Sequence, residues 1–470
     1  MSFETLAQQI LEKGREFDEM SWAGKKERTN RLLRKQIELC AKFHPFYRKM
    51  FQECGINPMD IRSVDDLECL PLTKKQAYMA QPEDFKLQLN EGSGYERVIY
   101  DITYTTGTTT GVPTPFYSTT HDILAVMEQF IRTCRFYGIH PSRDVLINLY
   151  PMSMVPHIGF RNSTMIGWPA GIPVINTLPG SQYNEFPMSN PLDWCVEVIE
   201  HFKGTVVRGV SSFIRKVVMR AQELNKDYSS MRFVFCLGEA TPKMMREDIR
   251  RRFQSLGAKG VKVFTNYGFT EMQYSTFECA ENGAYHNFMS DYVFFEIVEP
   301  ETGRRVQDGR EGHVAMTHVN RRGTILLRYL TGDLCSVKHD RCPMCEREGQ
   351  RFTMMPYRTA DLVKIKGTLI NPQLIQQELA AVPWVGEYQV VFSKEDPADP
   401  LSLDTLIVRV APEKNAPSQE IMEAVIKRQI KAVVEITPRV EITATPEDIF
   451  NPEKSLKAAR IVDERPRLEG

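Results

Sequence analysis

Between Arg232 and Glu271 the chain reads "RFVFCLGEATPKMMREDIRRRFQSLGAKGVKVFTNYGFTE". Two short apolar runs, "RFVFCLG" and "VKVFTNYG", flank a segment whose apolar residues recur at helical spacing. Strand, amphipathic helix and strand in that order predict a β-α-β unit and a parallel sheet covered by helices. Upstream, the runs "DVLINLY", "GIPVINTL" and "GTVVRGV" alternate with helical stretches such as "DILAVMEQFIRTCRFYG", so the unit repeats. Downstream, Asp291 to Val319 reads as consecutive strands with turns, a β-rich subdomain. Nearer the N-terminus, Glu27 to Glu53 has helical periodicity, and "PLTKKQAYMAQPEDF" reads as a second helical piece.

Beyond Arg358 helices at "NPQLIQQELAAV" and "SQEIMEAVIKRQIKAVV" alternate with strands at "EYQVVFS" and "LDTLIVRVA". That tail, of about 110 residues, is large enough to be a domain. The expected fold class is α/β, with a large N-terminal domain of helix-covered sheets over residues 1–357, a hinge at 358–361, and a small, mobile α+β C-terminal domain over 362–470. A length of 470 residues agrees with more than one core.

A net charge of -1, with 25% charged and 42% hydrophobic residues, gives no electrostatic reason to expect nucleic acid. The N-terminal "MSFETLAQQILEKGREF" carries acids and bases throughout, and no run approaches the roughly 20 apolar residues of a membrane span; the expectation is a cytoplasmic protein with no membrane partner. In a reducing compartment its ten cysteines read as thiols or metal ligands. Cys40, Cys54, Cys69, Cys134, Cys195 and Cys236 occur singly and read as inert thiols.

"TYTTGTTTGVPTPFYST" (Thr103 to Thr119) concentrates hydroxyls and glycines on one loop. Backbone N–H groups and hydroxyls on such a loop can converge on phosphate oxygens. No Gly-Lys-Ser/Thr follows, so it is not a Walker A loop.

Four further segments follow in order: "NYGFTE" (266–271), "RYLTGD" (328–333), "YRTADLVKIKGTLINPQLI" (357–375) and "KAARIVDER" (457–465). With the loop they make the chain resemble the adenylate-forming enzymes, and most closely the phenylacetate-CoA ligase-like branch. "HPFYRKMFQECGINPMDIRSVDDLECLPLTKKQ", "LGEATPKMMREDIRRRF" and "EIVEPETGRRVQDGREGHVAMTHV" extend the resemblance over nearly the whole chain.

The resemblance implies an acid–thiol ligase: ATP, with Mg²⁺, converts a small-molecule carboxylic acid to an acyl-adenylate, and coenzyme A takes the acyl group. The nucleophile belongs to the substrate, so such an enzyme needs no serine–histidine pair. By resemblance, Thr106, Thr108, Thr109, Thr110 and Gly111 would cradle the ATP phosphates. Tyr267 would stack on adenine, and Gly238, Glu239 and Ala240 would line the base. Thr270 would meet the α-phosphate and Glu271 would bind magnesium. Asp333 would take the ribose hydroxyls, with Arg358 beside the ribose and phosphates. Lys457 would be the catalytic lysine from the small domain, with Lys454 as its rival. Lys366 and Gly367 would face the pantetheine of coenzyme A.

Two positions depart from the family pattern. In the loop, either one residue is inserted or Thr108 replaces the first glycine, and Val112 stands where a lysine is expected. At the hinge Ala360 replaces the first acid, leaving Asp361. The segment "LYPMSMVPHIGFRNSTMIGWPAGIPV" falls where this branch builds its acid pocket, supplying Met152, Met154, His157, Phe160 and Trp168 for an aromatic or hydrophobic acid. Some relatives also carry a zinc ion in the region of "CPMC". Cys342 and Cys345, with Cys279 and His286, would make a closed and therefore structural site, and Cys335 and His339 stand as alternates.

The departures motivate two competing readings. One keeps adenylation but passes the acyl group to a carrier-protein thiol or an amine. The other is a catalytically retired scaffold that binds nucleotide; retention of Glu271, Asp333, Arg358 and Lys457 argues against it. The oligomeric state is left open, a homodimer included.

Overall fold

The computed structural model describes residues 12, 14–105, 113–150, 157–179, 190–238, 241, 243–358, 363–365, 368–370, 372–396, 403–434, 436–450 and 459–465. Strands β1 (Ile99–Tyr104) and β2 (Pro115–Thr119) pair as an antiparallel hairpin. The helix Thr120–Tyr137 leaves it directly. Thr119 N donates to Asp122 Oδ2 (2.9 Å) in a capping box, and Gly138 ends the helix at φ 64°, where a side chain would be strained.

The central sheet is built on β3 (Leu146–Asn148), β4 (Val174–Asn176), β5 (Val206–Val210), β6 (Phe233–Leu237) and β7 (Lys262–Tyr267). These run parallel in the order β7-β6-β5-β3-β4. β5 and β6 are buried at every position, which is why they read as unbroken apolar runs rather than alternating ones. Val206, Val207 and Val210 are fully covered, and each such burial contributes about 2 kcal/mol. Four short strands, β8 (Thr276–Glu278), β9 (Tyr285–His286), β13 (Val337–Lys338) and β14 (Arg351–Phe352), extend the sheet antiparallel beyond β7.

The β-rich part is a four-stranded antiparallel sheet, β10 (Val293–Val298), β11 (Gly312–His318), β12 (Tyr329–Cys335) and β15 (Tyr357–Arg358). The expected single helix at "PLTKKQAYMAQPEDF" is two pieces, a helix Lys75–Ala80 and a 3-10 turn Pro82–Phe85. Proline at 82 cannot supply the N–H that would continue the first.

A second hydrophobic core lies in the tail. There β16 (Val385–Lys394) and β17 (Asp404–Pro412) pair antiparallel, flanked in parallel by β19 (Ile461–Asp463) and β18 (Arg439–Ile442). The helices Pro372–Ala380 and Gln419–Val434 bury Ile375, Leu379, Ile426 and Ile430 against that core. Charged groups join the two cores. Arg215 donates to Gly386 O (2.8 Å) and Glu413 Oε1 (3.1 Å), and Arg252 donates to the same carboxylate (2.6 Å). Among the described residues no helix is long and apolar enough to cross a membrane.

Candidate functional site

In an open parallel sheet ligands bind beyond the carboxyl ends of the strands. At that edge the chain leaves β3 after Asn148, β5 after Val210, β6 after Leu237 and β7 after Tyr267, so that Tyr150 and Gly238 lie just beyond two of the strands. Gly238 adopts φ 79°, and a Cβ there would fall 2.8 Å from Tyr150 Oη, so both backbone and space require glycine.

The threonine-rich loop springs from the open end of the β1–β2 hairpin. Thr105 N donates to Thr114 O (3.0 Å) and Thr114 N to Thr105 Oγ1 (3.0 Å), which pins the two ends of the loop together. Under this base lies the turn after β7, where Thr270 Oγ1 donates to Tyr104 O (3.5 Å). The hydroxyl expected at the α-phosphate therefore sits beside the strand end from which the threonine-rich loop departs.

Gln273 clamps this junction. It is fully buried and holds φ 62°, an uncommon conformation for a residue with a side chain. Its Nε2 donates to Thr270 O (2.7 Å) and Thr103 Oγ1 (3.0 Å), and its Oε1 accepts from Arg161 Nη2 (2.8 Å). Arg161 also pairs with Asp101 of β1. Burial lowers the guanidinium's pKa and the Asp101 carboxylate opposes that shift. Hairpin, turn and the helix Ile158–Met165 are thus tied through one amide.

Glu271 is buried, accepts from Tyr329 Oη (2.9 Å) and lies 3.8 Å from Lys75 Nζ. Asp333 on β12 accepts from Tyr267 Oη (2.6 Å), and its main chain pairs with Arg358 across β12 and β15. Burial, with the carboxylate of Asp333 beside it, raises the Tyr267 hydroxyl well above its ordinary pKa, so it stays a donor.

In the segment expected to build the acid pocket, His157 caps the helix Ile158–Met165 by accepting from Gly159 N at Nδ1 (3.0 Å), and its ring stacks on Tyr150 at 5.6 Å. Phe160 packs, half-buried, against the core. Trp168 opens a 3-10 turn and is 53% exposed.

The donor atoms of Cys279, His286, Cys342 and Cys345 all lie within 4.8 Å of one another. Cys279 Sγ is 3.8 Å from Cys342 Sγ, and Cys345 Sγ is 3.4 Å from His286 Nε2. Hydrogen bonding between Cys279 and Cys345 lowers the Cys345 thiol, with help from His286, and raises that of Cys279, so the pair favours one thiolate, on Cys345. Three thiols and one imidazole in a tight group suit a tetrahedral soft-metal site. The alternates are engaged elsewhere, Cys335 with Ser336 O and Met354 O and His339 with Asp308 (2.9 Å).

Of the residues named from the sequence, Thr106, Thr108, Thr109, Thr110, Gly111, Val112, Met152, Met154, Glu239, Ala240, Ala360, Asp361, Lys366, Gly367, Lys454 and Lys457 lie outside the described residues, and Arg358 is described by its main chain. The structure brings together Tyr267, Thr270, Glu271 and Asp333. Sequence reasoning missed Gln273, Arg161, Lys75 and Tyr329. Gln273 stands two residues beyond "NYGFTE", and Arg161 is the one charged residue of the pocket segment, which were the available signals.

A parallel sheet with a buried carboxylate, a hydroxyl and a threonine-rich loop at its carboxyl edge, followed by a separate small α+β unit, defines a two-part nucleotide-site architecture. The chain belongs to the AMP-binding enzyme family, whose model matches residues 60–320, with the AMP-binding enzyme C-terminal domain matching residues 367–465. It is 24% identical over 373 residues to a phenylacetate-coenzyme A ligase of Thermus thermophilus, covering 76% of each chain. To the phenylacetate-coenzyme A ligase of Aromatoleum evansii it is 23% identical over 446 residues, covering 90% of each. Among solved structures, 2-hydroxyisobutyryl-CoA ligase in its postadenylation state superposes with a TM-score of 0.78 at 22% identity, over 96% of this chain and 91% of that one. The same ligase in its thioesterification state gives 0.62 at 23% identity, over 95% and 91%. At these identities the likeness shows the fold.

Proposed function

We propose that the protein is an AMP-forming acid–thiol ligase. A carboxylate oxygen of the substrate attacks the α-phosphorus of ATP, the bond to the β-phosphate breaks, and pyrophosphate leaves. The thiol of coenzyme A then attacks the acyl carbon and AMP departs. The chemistry asks the protein to align reactants and neutralise charge. Thr106, Thr108, Thr109, Thr110 and Gly111 would hold the phosphates and Thr270 the α-phosphate. Tyr267, Gly238, Glu239 and Ala240 would bind adenine, while Asp333 and Arg358 would bind ribose. Glu271 would ligate Mg²⁺, a hard cation suited to carboxylate. Lys457 would approach the carboxylate and α-phosphorus from the small domain, which would turn about residues 358–361 to bring Lys366 and Gly367 to the pantetheine.

The observation that carries this reading is the hydrogen bond from Thr270 to Tyr104 O at the base of the threonine-rich loop, with the buried carboxylate of Glu271 next to it in the same turn. The acid would have an aromatic or otherwise apolar body, as the ligase relatives and Phe160 suggest. Cys279, His286, Cys342 and Cys345 would hold one structural Zn²⁺ that stiffens the segment after Glu271 against the one after Asp333. The location would be cytoplasmic. Val112 and Ala360 favour a second reading, in which a carrier-protein thiol or an amine accepts the acyl group.

Acid-dependent exchange of pyrophosphate into ATP tests the first half-reaction. It is expected in the native protein and lost in Lys457→Ala; exchange that persists in the variant overturns the lysine's role, and its absence across a broad acid panel overturns the ligase reading.

A further inference from the structure

Nine arginines of the described residues are buried, and eight of them have a carboxylate within 4.0 Å: Arg132, Arg215, Arg246, Arg321, Arg322, Arg328, Arg351 and Arg460. Arg208, 5% exposed in the middle of β5, is the ninth, and no acid lies within that distance of it among the described residues. Its Nε has no hydrogen-bond partner. Its electrostatic neighbours are Cys134, Tyr137 and Tyr150, groups that are neutral near pH 7, and burial lowers its pKa to about 10, still charged. A buried charge without a counter-ion is strongly disfavoured by desolvation. An apolar residue would suit this strand better unless something anionic arrives.

The position says from where. Arg208 pairs in register with Asn148, the last residue of β3, and Leu149 N donates to Arg208 O (2.7 Å), which sets it beside the chain that leaves β3 towards Tyr150. Tyr150 belongs to the segment expected to build the acid pocket. Its ring stacks on His157 and its hydroxyl lies against Gly238, where the first residue of the base-lining triplet sits. Arg208 also borders a small cavity, shared with Thr133, Cys134, Gly167 and Phe235, with space for about one water-sized group. A ring does not fit there.

We propose that Arg208 is a specificity residue that reads a second carboxylate on the acid, at the end remote from the reacting one. The substrate class is then an acid with an apolar body and an anionic terminus. This rests on the acid-activating reading above and narrows it.

The test uses matched acids differing only in the distal group, such as phenylacetate against carboxyphenylacetate and hexanoate against adipate. Each is assayed for pyrophosphate release and for thermal stabilisation by the free acid, in the native protein, Arg208→Met and Arg208→Lys. The native protein should prefer the distal carboxylate by about 10- to 100-fold, the range of a hydrogen bond to a charged group. Arg208→Met should erase or reverse that preference while leaving the apolar acid within a few-fold, and Arg208→Lys should restore part of it. Met removes an unpaired charge, so the variant is expected to fold, and its melting temperature checks this. Equal preference in the native protein, or parallel losses for both members of a pair in Arg208→Met, would overturn the proposal. Discrimination in thermal stabilisation with no pyrophosphate release would sink the ligase reading and leave the role of Arg208 standing.

Discussion

Replacing Gln273 with alanine tests whether the β1–β2 hairpin, the "NYGFTE" turn and the helix Ile158–Met165 are one mechanical unit. The side chain makes three neutral bonds, to Thr270 O (2.7 Å) and Thr103 Oγ1 (3.0 Å) and from Ser118 Oγ (3.4 Å), and one to the charged Arg161 (2.8 Å). At about 1 kcal/mol for each neutral bond and about 1.5–3 kcal/mol for the charged one, the deletion costs about 4.5–6 kcal/mol, less whatever the neighbours recover by relaxing. All four partners would be left in the interior, where an unmet group is costly. Gln273→Gly should be less damaging than Gln273→Ala by about 1 kcal/mol, because glycine relieves the strain of φ 62°. Denaturant unfolding measures the stability loss. Acid-dependent pyrophosphate release should fall by about 100-fold, the scale of a small misplacement of a positioned group. A stability change below about 0.5 kcal/mol, the size of an ordinary surface substitution, with unchanged turnover would refute the clamp.

Tyr267→Phe removes the donor to Asp333 (2.6 Å) and should raise the KM for ATP at little change in KM for the acid, with a loss of about 1.5–3 kcal/mol in nucleotide binding. Protein purified without chelators should contain about one zinc per chain, and Cys345→Ser should lose it, as metal analysis will show. Acid should destabilise the large core through His44, which accepts from Tyr47 N at Nδ1 and meets Phe85 O at Nε2 as a neutral ring. Burial lowers its pKa to about 3, so between there and the ordinary 6.5 the unfolded chain binds a proton that the folded one does not. Stability therefore falls as pH drops through that window, by about 2 kcal/mol from this group between pH 7 and pH 5, and a His44→Asn variant should show a flatter unfolding profile. Glu413→Ala removes the acceptor shared by Arg215 (3.1 Å) and Arg252 (2.6 Å) and should speed proteolytic separation of the small unit, an effect that high salt should mimic in the native protein.

The parallel strands were legible because burial on both faces makes them continuous apolar runs, as in "RFVFCLG". The antiparallel extension of the sheet was not, since strands of two or three residues such as Tyr285–His286 carry no period to detect. Asp333 and Glu271 stood out within their motifs. Gln273 could not, because its meaning depends on Thr103 and Arg161, more than a hundred residues away in sequence. Arg208 was visible as a charge inside "GTVVRGV", yet only the structure shows that no acid answers it.

If acid activation precedes transfer to a thiol, AMP release from ATP and Mg²⁺ should require both an acid and coenzyme A when measured with and without coenzyme A over a panel of acids, and an acyl-CoA should be the product. Release with acid alone, unchanged by coenzyme A, would refute coenzyme A as the acceptor; no release under any condition would refute acid activation.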